Sequence, residues 1–575
     1  MKEMLKERMH YKARILMIFA LVIGSVLANL ALPMYLSDVI NMAIPQKDMG
    51  AVFASGAKML FFVVIGISCS IAMGYFAAHV SVGIGRTLRA KVFRKVQSFS
   101  QIEFDQISTS SLITRTNNDV VQVQTFINIL LRISLMAPIM AVGGIVMALA
   151  KSVTMSMILL LAMPVLLIFI FTTARKIMPL STQMQERLDE INLVIREKLT
   201  GIRVARTFGT ELYEEERFEK VNRSFMENSI RLGNIMATMM PGLNLVLSGT
   251  TIALLAFGGD RIIKGASLPI GDVIAVVQYV VQIMISVLML SMVFLVYPRA
   301  AVSAKRINEV LNTDPKIQDP KIAIAPNSKG HITFRDVSFT FSNAKAPALQ
   351  GLSFESKPGE VTAIIGSTGC GKSTLVNLIP RFYDVDRGEI LIDGVNVKDM
   401  ELNFLRNKIG IVPQKAFLFK GTIAENVGYG NGELSEEELK DALRIAQSLD
   451  FVMEKEGGLS APVTQGATNL SGGQKQRLAI ARAIARKPEI YIFDDSFSAL
   501  DFKTDAALRK ALLEEAKDAT VILVAQRVST IKNADRIIVL EDGQMVGFGK
   551  HDELLRDCEV YREIVYSQLS REEAQ

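Results

Sequence analysis

The sequence predicts a multi-domain protein: an all-α transmembrane domain of six helices, followed by an α/β domain built on a mostly parallel sheet. Six long apolar stretches occur before residue 300. After Gly330, short runs rich in β-branched residues alternate with helical ones, a pattern typical of a sheet with helices on its faces. We place the transmembrane domain at residues 1–312, a linker at 313–330 and the α/β domain at 331–575.

The composition agrees with a membrane protein that has a sizeable soluble part. Of the 575 residues, 50% are hydrophobic, only 7% are aromatic and none is Trp. The formal net charge of +6 is small for this length and comes largely from basic residues beside the apolar stretches. Because no basic patch with interleaved aromatic residues occurs, we expect no nucleic-acid partner. The three cysteines are too widely spaced for a metal site, and we expect no disulfide.

Each apolar stretch is long enough to cross about 30 Å of hydrocarbon, which takes about 20 helical residues. Open strands are excluded there because lipid would leave their backbone groups unpaired. The first stretch could instead be a signal peptide, but its length and the five similar stretches that follow favour a membrane span. The predicted spans are 15–40, 56–80, 127–150, 154–175, 236–258 and 270–297.

The basic residues predict the orientation of these spans. Five of them follow the second span, namely Arg86, Arg89, Lys91, Arg94 and Lys95, and Lys2, Lys6 and Arg8 are among those that precede the first. The connection after the third span carries only Lys151. Since basic residues favour the cytoplasmic side, we expect both termini in the cytosol and the chain in the cell's inner (plasma) membrane. The long polar connections 84–126 and 176–234 would be cytosolic helical extensions of the spans.

A phosphate-binding loop is the most specific motif of the second domain. Residues 366–373 match G-x-x-x-x-G-K-[ST], directly after the strand-like VTAII and before the helical STLVNLI. Backbone N–H groups of such a loop surround phosphate, Lys372 reaches the β- and γ-phosphates, and the Ser373 hydroxyl can ligate Mg²⁺. Asp494 ends an apolar run and is a second candidate Mg²⁺ ligand. The predicted ATP-binding residues are Gly366, Ser367, Thr368, Gly369, Cys370, Gly371, Lys372, Ser373 and Thr374.

The segment Leu470–Ser471–Gly472–Gly473–Gln474 is LSGGQ, and with it the sequence resembles the ABC transporter family, specifically exporters that carry both domains on one chain. The resemblance implies that Ser471, Gly472, Gly473 and Gln474 contact ATP held by a second chain. It also implies that Gln414 lies in the Q-loop, near Mg²⁺ and the reacting water, and that SALD at 498–501 is the D-loop. Phe341 matches the aromatic residue that stacks on adenine, although a core phenylalanine is the alternative.

Two residues depart from the family pattern. Asp495 stands where the family has the glutamate that polarises the attacking water, and Gln526 stands where it has a histidine that contacts the γ-phosphate. Both changes affect hydrolysis, whereas the groups that hold ATP are retained. The sequence therefore resembles the degenerate-site subunit of a heterodimeric bacterial multidrug exporter, with a second half-transporter as partner. A homodimer with slow hydrolysis at both sites is the alternative.

The cargo is indicated only by the membrane spans, which are rich in methionine and poor in charge. Such surfaces can repack around varied apolar ligands, so we expect a hydrophobic or amphipathic small molecule, with drugs as the first candidates. Lipid and peptide cargo, and an ATP-gated channel or regulator, remain alternatives. Arg132 is the one charge inside an otherwise apolar run; it is either functional or in a wet vestibule.

Overall fold

The computed structural model describes residues 11–264, 268–326, 329–342, 344–498 and 500–568. The basic residues Lys2, Lys6 and Arg8 and the D-loop residue Ala499, which carried predictions above, lie outside these ranges. The chain divides into two compact units. The first contains residues up to Gln97 and Ser110–Thr313, and the second contains Ser98–Thr109 and the residues from Asp314 onward. Residues 98–109, which fall inside the predicted domain 1–312, thus group with the second unit.

Six long apolar helices form the first unit, and each contains one of the predicted spans. A helix rises about 1.5 Å per residue, so the 49-residue α2 measures about 70 Å, roughly twice the thickness of a bilayer core. The expectation that the spans continue beyond the membrane as helices therefore agrees with their lengths. The bounds are α1 Lys12–Ala43, α2 Met49–Gln97, α3 Thr109–Lys151, α4 Val153–Thr200, α5 Glu211–Ile263 and α6 Ile270–Asn312.

Two of these helices change their hydrogen-bonding pattern along their length. The last residues of α1, Val39–Ala43, form a π-helix, and a second π-helix, Arg115–Asp119, lies near the start of α3. Short helices connect the long ones, at Gln101–Ile107 between α2 and α3 and at Ile202–Phe208 between α4 and α5. A π-helix is a local departure that often marks a functional position.

A polar cluster joins the ends of α1, α3 and α6. The Lys151 ammonium lies 3.0 Å from Asp272 Oδ1 and donates to Ser37 Oγ at 3.1 Å. The same carboxylate oxygen accepts from Ser37 Oγ at 2.6 Å and from Asn41 Nδ2 at 3.2 Å. Asn41 lies in the π-helix and its Oδ1 accepts from Gly271 N at 2.7 Å. Lys151 and Asp272 are therefore paired and hydrogen-bonded, as burial requires.

The second unit contains a six-stranded sheet in the order β12-β11-β3-β10-β9-β6, and all of its strand pairs are parallel except β11 with β12. Strands β9 and β10 are buried along their whole length. Helices pack on one face of the sheet, and the antiparallel sheet described below, with the helix Lys372–Leu378, packs on the other. This is the predicted α/β domain. Its strands are β3 Val361–Gly366, β6 Ile409–Val412, β9 Ile490–Asp494, β10 Thr520–Val524, β11 Arg536–Glu541 and β12 Gln544–Gly549.

A second, antiparallel sheet of four strands has the order β2-β1-β4-β5 and was not predicted. Of the four strands in this sheet, only β1 was recognised as a strand from the sequence. In β2 the buried positions alternate irregularly with exposed ones, so its sequence lacks the continuous apolar run of a strand in a parallel sheet. The strands are β1 Ile332–Phe339, β2 Leu349–Ser356, β4 Arg387–Ile392 and β5 Val395–Asn396; a separate two-stranded pair joins β7 Gly421–Thr422 and β8 Pro462–Val463.

The helices of this unit are numbered on from α6. Two of them position the site described below, since α7 follows the phosphate-binding loop directly and α12 begins inside the LSGGQ segment. They are α7 Lys372–Leu378, α8 Leu402–Asn407, α9 Ile423–Val427, α10 Glu436–Ile445, α11 Leu449–Met453, α12 Gly472–Ala485, α13 Phe502–Glu515, α14 Val528–Ile531, α15 His551–Asp557 and α16 Glu559–Tyr566.

The sheet order brings the sequence motifs to one edge. β3, β10 and β9 are neighbours and parallel, so the segments that follow them meet at the carboxyl ends of the strands. These segments begin with Ser367, Ala525 and Asp495 respectively. The carboxyl edge of an open parallel sheet is where such folds bind ligands, and the candidate site lies there.

Candidate nucleotide site

The phosphate-binding loop needs glycine at defined positions. Gly371 has φ +100°, and a Cβ there would lie 2.7 Å from Leu349 Cδ2 and 2.8 Å from the Ala348 carbonyl oxygen. A Cβ on Gly366 would clash with the Leu540 carbonyl oxygen of the neighbouring strand. Both positions therefore exclude side chains, which lets the backbone turn tightly between β3 and α7.

Lys372 folds back over this loop. Its ammonium donates to the Gly366 carbonyl oxygen at 2.9 Å and to the Ser367 carbonyl oxygen at 2.7 Å. The positive charge is therefore held against the backbone of the loop, close to the N-terminus of α7. This arrangement suits the binding of a phosphate group, because the lysine and the loop N–H groups all favour an anion.

Ser373 and Asp494 form the next part of the site. The Ser373 hydroxyl donates to Asp494 Oδ1 at 3.0 Å. Asp494 is 8% exposed, and burial raises the pKa of its carboxyl above the ordinary value, although the Ser373 hydrogen bond acts in the opposite direction. A hydroxyl beside a carboxylate offers oxygen ligands, which Mg²⁺ prefers, and this ion commonly completes its coordination with substrate phosphates and water.

Asp495, Gln414 and Gln526, predicted separately from three motifs, come together around one carboxylate oxygen. Asp495 Oδ2 accepts from Gln414 Nε2 at 3.2 Å and from Gln526 Nε2 at 2.8 Å. Asp495 itself has φ +48°, a left-handed conformation that aspartate adopts more readily than most residues. All three side chains lie at the carboxyl edge of the sheet, beside Asp494.

The position of Gln526 depends on a residue that the sequence did not single out. Gln568, beyond the end of α16, donates from Nε2 to the Gln526 carbonyl oxygen at 2.8 Å. Its Oε1 accepts from Val528 N at 2.9 Å, so it bridges the backbone on both sides of Arg527. No sequence motif marks this contact, because the two segments are separated by about forty residues.

The LSGGQ segment forms the start of helix α12. Ser471 caps the helix: Gln474 N donates to Ser471 Oγ at 3.3 Å, and Ser471 N donates to Gln474 Oε1 at 3.0 Å. Ser471 and Gly472 are exposed. Among the described residues, no hydrogen bond joins the segment to loop 366–373 of the same chain. The segment therefore presents a helix N-terminus to the outside, as a surface for an anion.

Phe341 and Tyr383 form an aromatic group with Phe339. Phe341 packs edge-on against Phe339, with ring centroids 4.9 Å apart, and against Tyr383 at 5.5 Å. Phe341 is only half-buried, so part of its ring remains accessible. The Tyr383 hydroxyl donates to Asp105 Oδ2 at 3.0 Å, and burial together with this carboxylate raises the pKa of Tyr383 above its ordinary value. The sequence did not indicate a role for Tyr383 or Asp105.

Glu103, like Asp105, connects residues 98–109 to the rest of the second unit. Glu103 is buried; its Oε2 accepts from Ser100 N at 2.7 Å and its Oε1 accepts from Lys316 N at 3.2 Å. The carboxylate thus caps the short helix Gln101–Ile107 and also holds the chain that leads into the α/β domain. These contacts explain why the segment groups with the second unit.

The fold and the site define a nucleotide-binding α/β domain on the same chain as a six-helix membrane domain. Residues 15–288 match the ABC transporter transmembrane region, and residues 349–498 match the ABC transporter family. An uncharacterised ABC transporter ATP-binding protein of Mycobacterium tuberculosis is 39% identical over 563 residues, covering 97% of this chain and 96% of the relative. An uncharacterised ABC transporter ATP-binding protein of Bacillus subtilis is 37% identical and covers 96% of each chain.

Two further similarities concern named proteins. The ATP-dependent lipid A-core flippase of Mannheimia succiniciproducens is 32% identical over 507 residues, covering 88% of this chain and 86% of the flippase. A solved structure of a bacterial Atm1-family ABC exporter with ATP bound has a TM-score of 0.81 and 26% identity, covering 98% of this chain and 99% of that one. The chain therefore belongs to the ABC transporter family, as an exporter half-transporter with a membrane domain fused to an ATP-binding domain. It is a multi-pass membrane protein.

Proposed function

We propose that this chain is the degenerate-site subunit of a heterodimeric ABC exporter, binding ATP that it hydrolyses slowly or not at all. The observation that carries the proposal is the contact of Asp495 Oδ2 with both Gln414 and Gln526. In this proposal, residues 366–374 hold the phosphates and Phe341 stacks on adenine. Mg²⁺ is held by Ser373, Gln414 and Asp494.

The reduced hydrolysis follows from geometry and charge. Aspartate is one methylene shorter than glutamate, which retracts its carboxylate by roughly 1.5 Å, and a misplacement of about 1 Å can cost about 10²-fold in rate. Asp495 Oδ2 already accepts two amide hydrogens, which leaves it less able to accept one from water. Gln526 cannot become cationic as a histidine can, and losing one charge-stabilising contact costs about 10²–10³-fold.

The exposed LSGGQ segment supports the heterodimer. Residues 471–474 keep the family sequence and begin a helix whose N-terminus is accessible. A chain with one phosphate loop and one signature completes two sites only with a second chain, and dimers are typical of this family. We infer that Ser471, Gly472, Gly473 and Gln474 complete the site of a partner half-transporter that keeps its glutamate and histidine.

The proposed cargo is a hydrophobic or amphipathic small molecule, with drugs as first candidates, moved out of the cytosol or the inner leaflet. The apolar, methionine-rich helices support this class, and the basic connections support both termini in the cytosol and an inner (plasma) membrane location. A homodimeric lipid exporter is the second candidate, because relatives at 32% identity are named as lipid A-core flippases.

Co-purification tests the heterodimer first. The chain is tagged, purified in detergent from its native host, and the co-purifying chains are identified by mass. The proposal expects a second ABC chain in about equal amount, with Glu and His at the positions equivalent to Asp495 and Gln526. A preparation that contains only this chain, as a dimer that hydrolyses ATP, overturns the proposal and favours the homodimer.

The variant Asp495→Asn tests the catalytic assignment in the purified pair. We expect the ATPase rate of the pair to change less than about twofold, because hydrolysis occurs at the other site. A fall to background would show that Asp495 is a working catalytic carboxylate. ATP-driven accumulation of cargo against its gradient, measured in inside-out vesicles, separates an exporter from an ATP-gated channel.

A further inference from the structure

A cavity of about 470 Å³ opens between α1, α2 and α3 in the membrane unit. Its lining includes the aliphatic side chains of Val63, Ile67 and Ile71 and the polar groups of Asn29, Ser70 and Arg132. This volume lies within the range of small-molecule sites, which are mostly apolar with a few placed polar groups.

Three of the predicted membrane spans contribute residues to the cavity. Ser70 is near the centre of the predicted span 56–80, and Asn29 is near the centre of the span 15–40. Arg132 follows the start of the span 127–150 by only five residues, and its side chain reaches the same cavity. An ionised residue inside a predicted membrane span is a candidate functional group, and the Arg132 side chain is exposed in this cavity.

Among the described residues, no carboxylate forms an ion pair with Arg132, and no acidic residue lines the cavity. Lys151, at the end of α3, is by contrast paired with Asp272 at 3.0 Å. The Arg132 guanidinium, unlike the Lys151 ammonium, is therefore available to an anion from outside the chain.

The polar neighbours of Arg132 are already engaged with α1. Ser70 Oγ lies 3.0 Å from Ser25 Oγ, and Asn29 Nδ2 donates to the Ser25 carbonyl oxygen at 2.8 Å. These contacts hold Ser70 and Asn29 in place, whereas the exposed Arg132 guanidinium keeps its N–H groups available. A guanidinium presents a planar fork of N–H groups that matches carboxylate and phosphate oxygens in pairs.

We propose that this cavity binds the anionic headgroup of an amphipathic molecule, with the Arg132 guanidinium on its phosphate or carboxylate and Val63, Ile67 and Ile71 along its alkyl chain. The proposal rests on the proposed export function and narrows its cargo from hydrophobic or amphipathic compounds to anionic amphiphiles. A membrane lipid and an exported compound share this chemistry, and the experiment distinguishes them.

The experiment measures probe binding to the full chain with its co-purifying partner in nanodiscs. Dodecyl phosphate and dodecyltrimethylammonium share one alkyl chain and differ in charge, and inorganic phosphate supplies the anion without the chain. We expect dodecyl phosphate to bind at least tenfold more tightly than the cation, with no competition from millimolar inorganic phosphate. Arg132→Gln should remove that preference, and Arg132→Lys should keep part of it.

Two further variants separate charge from shape. A Cβ on Gly74, which lines the cavity, would have nothing within 4 Å, so the backbone position of Gly74 has room for the first side-chain atom of Gly74→Leu. We expect this variant to weaken dodecyl phosphate binding several-fold while Arg132 is unchanged. Arg175→Gln removes another exposed arginine, at the end of the span 154–175 and against Phe171, and should have no effect.

The outcomes decide between the possibilities. Equal binding of the two dodecyl probes, or unchanged binding in Arg132→Gln, overturns the site, and competition by inorganic phosphate overturns the amphiphile class. Weaker probe binding in phosphatidylglycerol than in phosphatidylcholine nanodiscs assigns the site to a membrane lipid, whereas equal binding assigns it to an exported compound. ATP-driven uptake of both probes into vesicles that does not depend on Arg132 would refute the proposed site and leave the export function standing. Probe binding without uptake of either probe would leave the site standing and refute the export function.

Discussion

The phosphate-binding part and the proposed hydrolytic part of the nucleotide site lie side by side, but only the first keeps the residue types of the family pattern. Around the phosphate loop, Lys372, Ser373 and Asp494 are the residues that we propose hold ATP and Mg²⁺. Asp495, the next residue along the chain, and its hydrogen-bond partner Gln526 stand where the family resemblance leads us to expect a glutamate and a histidine. Asp494 is the last residue of the buried strand β9 and Asp495 follows it directly, so the two residues lie side by side in the fold. In the proposed function, holding a nucleotide and cleaving it depend on different side chains, so one can change without the other.

The largest effect in this comparison is expected at the LSGGQ segment. Ser471→Arg should lower the ATPase rate of the pair by about 10²-fold or more, because it places a long cation where a second chain's ATP is expected to bind. The steady-state rate of phosphate release measures it. Ser435→Arg is the matched control, because Ser435 also caps a helix, in its case together with a glutamate three residues later. This control variant should lose only about 1 kcal/mol of helix stability. Equal loss in both variants would contradict the proposed role.

The converse change should restore hydrolysis at this chain's own site. In the Ser471→Arg background, where the partner's site is silent, Asp495→Glu combined with Gln526→His should raise phosphate release by about 10²-fold. The added methylene returns the carboxylate to its family position, and the imidazole can become cationic. Asp495→Glu combined with Gln526→Asn serves as the control. No gain in the first double variant would show that further residues limit the site.

A smaller effect is expected from pH. Burial raises the pKa of Asp494, so the folded protein keeps a proton that the unfolded chain has already lost. Stability contributed by this group therefore falls as pH rises from the ordinary carboxyl range through the raised pKa. Mg²⁺ needs the charged form, so the Mg²⁺ dependence of ATP binding should strengthen several-fold over the same rise. Titration calorimetry at a series of pH values measures it, and Asp494→Asn should give a flat profile.

The smallest effect concerns the aromatic group beside the proposed adenine position. Tyr383→Phe removes the hydroxyl that donates to Asp105, worth about 0.5–1.5 kcal/mol, so amide hydrogen exchange in residues 98–109 should quicken a few-fold. Tyr429→Phe is the control, because Tyr429 is exposed and stacks on Phe419. Exchange that stays unchanged in Tyr383→Phe would show that Glu103 alone holds the segment.

The sequence predicted the features that depend on neighbouring residues. The loop 366–373 was found because one strand, one turn and one helix follow each other directly, and the six spans because each is a single apolar run. The meeting of Gln414, Asp495 and Gln526 was expected only through the family resemblance. Their shared hydrogen bonds depend on the order of strands β6, β9 and β10, which no local pattern states.

The features that were missed depend on distant contacts or on weak patterns. Tyr383 and Asp105 are 278 residues apart in sequence, and each is an ordinary polar residue in its own segment. The antiparallel sheet escaped because β4, RGEILI, begins with exposed charged and glycine residues, and only its last part is apolar. The cavity beside Arg132 needed three helices in place, although the lone arginine itself was visible in the sequence.

The bridge made by Gln568 has a practical consequence for protein engineering. Because this side chain binds the backbone on both sides of Arg527, a shortened chain that stops before residue 568 would release the segment that carries Gln526. Affinity tags, fluorescent fusions and truncations should therefore leave this glutamine and helix α16 intact. A change in ATPase rate caused by trimming the C-terminal end would otherwise be mistaken for a property of the nucleotide site.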